Sequence, residues 1–162
     1  MTLFDEPDNP RWKLLNVAQD RLAMAPTREA VIEVVRSTAR SVLDADGVTF
    51  ILRDGDLCHY VEEDAITPLW KGMRFPMSAC ISGWSMMNAQ TAVIEDIYKD
   101  SRIPHDAYRP TFVKSLIMTP VNHPPVAAIG AYWRDRRSFT DREILAIKTL
   151  STAVGRALAD YL

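Results

Sequence analysis

The consecutive segments CISGWSMMNA (80–89), QTAVIEDIYKD (90–100) and SRIPHDAYRPTFVKSLIMTPV (101–121) give the chain its plan. They predict a short helix over 80–88, a strand over 91–95 running into Glu95-Asp96, a loop over 97–114 and a strand over 115–121. A connection of that length inside a compact domain is usually functional or disordered. This one carries Ile97, Tyr98, Ile103, Tyr108 and Phe112, too many apolar and aromatic residues for disorder. Two strands joined by such a loop can build a lid over a pocket.

Working outward, Asn9-Pro10 reads as N-cap and first helical residue, and Leu14, Leu15, Ala18 and Leu22 fall at helical spacing until Pro26. Thr27 caps a second helix whose stripe is Val31, Val34, Val35, Thr38 and Val42, closed by Asp44-Ala45-Asp46-Gly47. Residues 48–52 and 57–61 form a hairpin about Asp54-Gly55. Residues 65–79 are irregular apart from a short edge strand at 74–76, and Ser78 is the expected cap of the following helix. Residues 126–133 return as a strand in which Ala128, Gly130 and Ala131 admit something close, a packed helix or a ligand. Thr140 and Glu143 form a capping box. The last helix places Ile147, Leu150, Val154, Ala157 and Tyr161 at spacings of three and four. Tight turns between adjacent strands imply an antiparallel sheet, and helices 11–24, 28–43 and 141–160 each have one apolar face with which to cover it. The expected fold class is α+β, a two-layer sandwich with the terminal helices on one face and a loop and helix lid on the other.

Composition narrows the function. With 48% hydrophobic and 25% charged residues in a chain of 162, one domain with its own core is expected. A net charge of −2 argues against nucleic acid as partner, and Arg134-Asp135-Arg136-Arg137 reads as a solvated turn. There is no signal peptide in MTLFDEPDNP and no run long enough to span a bilayer, so a cytoplasmic protein with reduced thiols and no membrane partner is expected.

No metal site is expected: His59, His105 and His123 are scattered, and Cys58 and His59 alternate across a strand. Cys80 opens a helix, where the dipole could lower its pKa and favour a thiolate, but a small buried residue packing against the sheet is the commoner case. Ile81-Ser82-Gly83-Trp84-Ser85 is not a nucleophile elbow, and Glu95 and Asp96 point to opposite sides of a strand, a poor acid/base pair of which one member could face a pocket. The 97–114 loop is the best ligand site, since Tyr98, Arg102, His105, Tyr108, Arg109 and Phe112 offer aromatic walls, cations and an imidazole. The same residues also fit a loop packed on the sheet with surface ion pairs.

Ser82-Gly83-Trp84, Val93-Ile94-Glu95-Asp96-Ile97 and Lys114-Ser115-Leu116-Ile117-Met118-Thr119-Pro120-Val121 together resemble a GAF domain, in particular the GAF sensor modules of bacterial histidine kinases. The resemblance runs from about Ala25 to Leu158. It implies a single GAF-like domain over 1–162, with an N-terminal helix (1–26), a core (27–139) and a signalling and dimerisation helix (140–162). It implies a non-enzymatic sensory or regulatory module acting on a histidine kinase or another output, with an unidentified small molecule as ligand. The expected ligand-binding residues are Trp84, Asp96, Tyr98, His105, Tyr108, Arg109, Phe112 and Met118, converging over the sheet, with no catalytic residue. Bilin-binding relatives attach the chromophore through a cysteine just before a histidine. Here Pro104 precedes His105, so no covalent bilin is expected, and the cofactor is left unknown. The Asn-Lys…Phe…Asp-Glu pattern of cyclic-nucleotide-binding relatives is missing. Two alternatives are a thiol-dependent enzyme resembling free methionine sulfoxide reductase, with Cys80 as nucleophile, and a ligand-free dimerisation module. The apolar seam of the last helix, joined by Leu14, Leu15 and Leu22 of the first, suggests a homodimer through the terminal helices.

Overall fold

A computed structural model describes residues 10–161, so the expected cap Asn9 lies outside the described residues. Six strands form one antiparallel sheet in the order β3-β2-β1-β6-β5-β4. They are β1 (Gly47–Asp54), β2 (Leu57–Ala65), β3 (Arg74–Pro76), β4 (Ala92–Ile94), β5 (Ser115–Val121) and β6 (Ala127–Trp133). The helices are α1 (Pro10–Ala23), α2 (Arg28–Leu43), α3 (Ile81–Asn88), the single turn α4 (His105–Tyr108) and α5 (Asp141–Leu158). The expected α+β arrangement is present.

Strand alternation sorts the side chains into two cores. On one face, Val48, Phe50, Ile117, Val121, Ile129 and Trp133 meet Val35 and Val42 of α2 and Ile147, Leu150 and Val154 of α5. Helix α1 buries Leu15, Ala18 and Leu22 and packs mainly on α2 and α5. The opposite face carries Ile51, Cys58, Tyr60, Leu116, Met118 and Tyr132, covered by α3 and the 97–113 segment. That segment is more ordered than a plain loop: a 3-10 turn at Ile97–Lys99 and α4 interrupt it.

Local chemistry explains the boundaries. Thr27 Oγ1 accepts from Ala30 N, as expected of a cap, and the Thr140–Glu143 capping box is complete. Asp44 closes α2 in the left-handed region and its carbonyl accepts a 2.8 Å bond from Trp133 Nε1. At α3 the expectation fails. Ser78 lies in a 3-10 turn over Met77–Ala79, and the residue at the N-cap of α3 is Cys80. The cause is Gly83, whose missing side chain leaves room for the Met77 carbonyl. The helix therefore starts two residues later than a Ser78 cap implies.

The apolar seam of α5 that was expected to contribute to a dimer packs within the chain. Ile147, Leu150, Val154 and Leu158 are fully buried in the helix-side core, and Tyr161 Oη donates to Ala25 O. On the terminal helices the large apolar residues that remain exposed are Leu14 and Val17 of α1, with Met24 just past its end, and Leu145 of α5; Ile66, Met73, Met87 and Val93 are exposed elsewhere.

Candidate functional site

The lid is built outward from the sheet. After β2, residues 66–73 have no regular structure, yet they are held. Both oxygens of the Glu63 carboxylate accept backbone N–H bonds, from Leu69 (2.8 Å), Trp70 (2.9 Å) and Lys71 (2.9 Å). This fixes the Trp70 indole over the sheet. Trp70 stands edge-on to Tyr60 (5.8 Å between ring centres), Tyr108 (4.8 Å) and Tyr132 (5.6 Å), and Tyr60 is edge-on to Phe75 (5.5 Å). Such edge contacts add to area burial and fix ring orientations. Tyr132 lies along its own strand across Gly130, where any Cβ would meet its hydroxyl, Met118 and Thr49. Side chains, rather than a helix or a ligand, make the close approach at Gly130. The Tyr132 hydroxyl is 2.8 Å from Thr49 Oγ1, and both residues are fully buried.

Between these rings and the start of α3 is a pocket of about 50 Å³, lined by Tyr60, Trp70, Phe75, Cys80, Ala107 and Tyr108 together with Ala79 and Pro104. Its lining is almost wholly apolar apart from one thiol. Cys80 is 9% exposed; Cys58, on the adjoining strand face, is fully buried, and both are free thiols. Cys80 Sγ is 3.2 Å from Ser82 Oγ, whose hydroxyl is 2.9 Å from Tyr60 Oη. Cys58 Sγ is 3.3 Å from Met77 Sδ. Both thiols lie in the lid core, and their acidities move in opposite directions. The nearby Cys58 thiol, the Ser82 hydroxyl, and the Gly83 and Ser82 N–H groups of the first helical turn lower Cys80 to about 6, against the effect of burial. Cys58 moves up, first because it is the partner that keeps its proton and then because it is buried. Burial likewise holds Tyr60, Tyr108 and Tyr132 neutral.

The eight expected site residues do not converge on one point. Tyr108 reaches the pocket and Met118 lies beneath the lid core. Trp84, Tyr98 and His105 belong to a second cluster on the outer side of the lid. There Arg102 lies 4.3 Å from the Trp84 ring centre and pairs with Asp100 through 3.0 and 2.6 Å bonds. The Arg102 guanidinium holds the Asp100 carboxyl below its ordinary value. His105 Nε2 is 3.0 Å from Asp100 O, and its ring is 5.4 Å from that of Tyr98. Asp96 caps the 3-10 turn through Tyr98 N (3.1 Å) and faces Arg136 (3.7 Å). Arg109 is exposed and pairs with Asp106, and Phe112 packs beside Gly47 and Leu69. The expected convergence is thus split between a pocket and a surface cluster, because Asp100 and Arg102 fold the loop back on itself. Sequence reading passed over Tyr60, Trp70, Phe75 and Tyr132, and kept the two cysteines apart. The alternation of Cys58 and Tyr60 in β2, and of Gly130 and Tyr132 in β6, was the available signal. Among the described residues, no group of three or more His, Cys, Asp or Glu is placed to hold a metal ion.

A two-helix layer on one face of a six-stranded antiparallel sheet and a lidded aromatic pocket on the other agree with the family model described as GAF domain, which matches residues 25–159. The chain belongs to the GAF domain family. Solved GAF domains share its fold at low identity. The GAF domain of a phosphoenolpyruvate-protein phosphotransferase from Coxiella burnetii superposes with TM-score 0.81 at 14% identity, covering 96% of each chain. The corresponding domain from Acinetobacter gives 0.79 at 12%, over 94% of this chain and 95% of that one. A free methionine-R-sulfoxide reductase from Neisseria meningitidis, solved in complex with its substrate, gives 0.75 at 16%, over 91% and 87%. No curated protein matches the sequence. At these identities the likeness shows the fold, and this GAF domain's own residues must supply its chemistry. No helix among the described residues is long and apolar enough to cross a membrane.

Proposed function

We propose that this GAF domain is a non-enzymatic sensory module in signal transduction, which takes a small-molecule or conformational signal on its lid side and relays it through its terminal helices to a histidine kinase or another output. The observation that carries this reading is that β5 and β6 serve both faces. Leu116, Met118 and Tyr132 line the lid core, while the β5–β6 end is tied to α5. Asn122 Nδ2 donates to Gly155 O at 3.2 Å, in a space that exists only because residue 155 has no side chain, and Ser151 Oγ donates to Pro120 O at 2.7 Å. A shift of the lid strands therefore has a direct contact through which to move α5. Homodimerisation would use the outer stripe of α1, Leu14 and Val17, extended by Met24 just past the helix, since the α5 seam is occupied.

The Cys80 thiol at the pocket gives specific support to a second reading, thiol-dependent reduction of a methionine sulfoxide. The pocket weighs against it: about 50 Å³ is well below the roughly 300 Å³ lower bound of ordinary small-molecule sites. The deciding experiment has two arms. Native mass spectrometry of gently purified protein looks for a retained small molecule, and amide exchange of α5 is compared with and without it. Turnover of free methionine sulfoxide with a dithiol reductant would replace the sensor by the enzyme.

A further inference from the structure

The helical layer stops short of one edge of the sheet. Strand β4 pairs only with Leu116–Met118 of β5, so Thr119 and Pro120 run on past its end. Beside them lies an open groove bounded by Gln90 after α3, by Thr91 and Thr119 on the sheet, and by Lys148, Ser151 and Thr152 on α5. Its volume is about 540 Å³ against about 50 Å³ for the lid pocket, and falls within the roughly 300–1,000 Å³ of small-molecule sites. Thr119 shares its sheet face with Ile117 and Val121 of the helix-side core, so the groove is on the opposite side from the lid. Its polar groups can be accounted for singly. Ser151 Oγ donates to Pro120 O (2.7 Å) and Thr152 Oγ1 to Lys148 O (3.0 Å), which uses both protons. Thr91 Oγ1 and Thr119 Oγ1 are 2.9 Å apart, and one of these hydroxyls donates to the other. Thr119 is only 2% exposed, so its proton goes to Thr91, and the O–H left over is that of half-buried Thr91. Among the described residues the Gln90 side-chain amide has no hydrogen bond and Lys148 no ion pair. The residues one helical turn from Lys148 are Ile144, Leu145, Ser151 and Thr152, none of them acidic, and no Asp or Glu lines the groove in a chain of net charge −2. What the groove offers is spare donors and one positive charge. A peptide strand cannot extend the sheet here, because Pro120 has no N–H and its carbonyl is taken by Ser151.

We propose that this groove binds a small molecule bearing one oxyanion, a carboxylate or a phosphate, held by the Lys148 ammonium with the Gln90 amide and the Thr91 hydroxyl as further donors. Hydrogen bonds from a cation to an oxyanion are the stronger kind, which is why Lys148 anchors the headgroup and the neutral donors orient it. The remaining volume takes a neutral part of the same molecule. The three donors come from α5, from the segment that follows α3, and from the entry to β4. One occupant therefore bridges the end of a lid helix, the sheet edge and α5, next to the Ser151–Pro120 bond that already ties α5 to β5. Binding there stands by itself; only its effect as an input signal on α5 rests on the sensor reading.

The test titrates the isotope-labelled full chain with inorganic phosphate and, separately, with acetate, each replacing chloride at constant pH and ionic strength, and follows the backbone amides by NMR. Saturable shifts are expected at Gln90, Thr91, Thr119 and Lys148 together, and the anion that saturates at the lower concentration assigns the headgroup as phosphoryl or carboxylate. Lys148→Gln should weaken binding about fivefold or more, and Gln90→Ala about twofold. Both side chains are exposed, so the melting temperature should stay unchanged in either variant. A response confined to Lys148, no larger than that at the exposed Lys99 and unaltered by Gln90→Ala, marks an adventitious ion only and overturns the inference, as does a response that never saturates. Amide exchange of α5 with and without the anion separates this site from the sensor reading. Saturable binding with unchanged α5 keeps the site and removes its signalling role. No binding, with α5 responding to a molecule retained on the lid side, keeps the sensor and removes this inference.

Discussion

Replacing Tyr132 by phenylalanine removes one oxygen from the middle of the lid core and isolates the effect of the Thr49–Tyr132 pair. The ring stays, so its edge contact with Trp70 and the fit over Gly130 are kept. What is lost is the 2.8 Å bond to Thr49, whose hydroxyl is fully buried and has no other side-chain partner among the described residues. Leaving a buried hydroxyl without a partner costs about 1–3 kcal/mol. Thr49→Val alone strands the tyrosine hydroxyl in the same way, at a similar cost. Removing both hydroxyls should recover part of the loss, because two apolar groups of similar shape then face each other. Urea unfolding of the four proteins should give two destabilised single variants and a double variant about 1–2 kcal/mol more stable than the sum of the singles, with unchanged m-values. If the double variant equals that sum within about 0.5 kcal/mol, the hydroxyls do not act on each other and the account of this core is wrong.

Other outcomes follow from the same contacts. Gly83→Ala should cost about 3 kcal/mol or more, as overpacking against backbone rather than a movable side chain, and should raise the alkylation pH of Cys80 by displacing the first turn of α3. In the unaltered protein, Cys80 alkylation should reach half its maximum near pH 6, while Cys58 should stay unreactive until the protein unfolds. The sign for stability is set by the same shift: the folded Cys80 value lies below the ordinary 9.0, so its thiolate contributes fully above that range and the contribution fades as pH falls through about 6. Glu63→Ala should lower stability by about 2 kcal/mol and increase the mobility of Trp70, visible as a fluorescence red shift. Val154→Glu should unfold the domain by burying a charge, whereas Val17→Glu should leave the melting temperature nearly unchanged and, in light scattering, convert any dimer to a monomer.

The fold was legible because its signals are local. Asp54-Gly55, the Thr140–Glu143 pair, and the short apolar, β-rich runs of β1, β5 and β6 each specify an element without reference to distant residues. The site was legible only in part. Tyr108 and Met118 were found because the loop and strand that carry them are conspicuous. Trp70 was missed because it lies in an aperiodic stretch and owes its position to a carboxylate seven residues back. The setting of Cys80 was missed because it enters the same core as Cys58 only after β3 has paired with β2 and Gly83 has let α3 fold against Met77. The apolar face of α5 could not be allotted to one partner for the opposite reason. A strongly apolar helical face reads the same whether its partner is another chain or, as here, the domain's own sheet.

The division of side chains between the two faces of the sheet makes each strand a partition wall between separately adjustable rooms. Along β1, β5 and β6, neighbouring residues answer to different cores: Leu116 and Met118 to the lid, Ile117 to the helices. A library that varies only lid-side positions, such as Tyr60, Trp70, Tyr108 and Tyr132, would change the room that receives a ligand while leaving the helical wall intact. Enlarging the pocket by such substitutions would graft a new specificity onto a scaffold whose connections to α5 stay as they are.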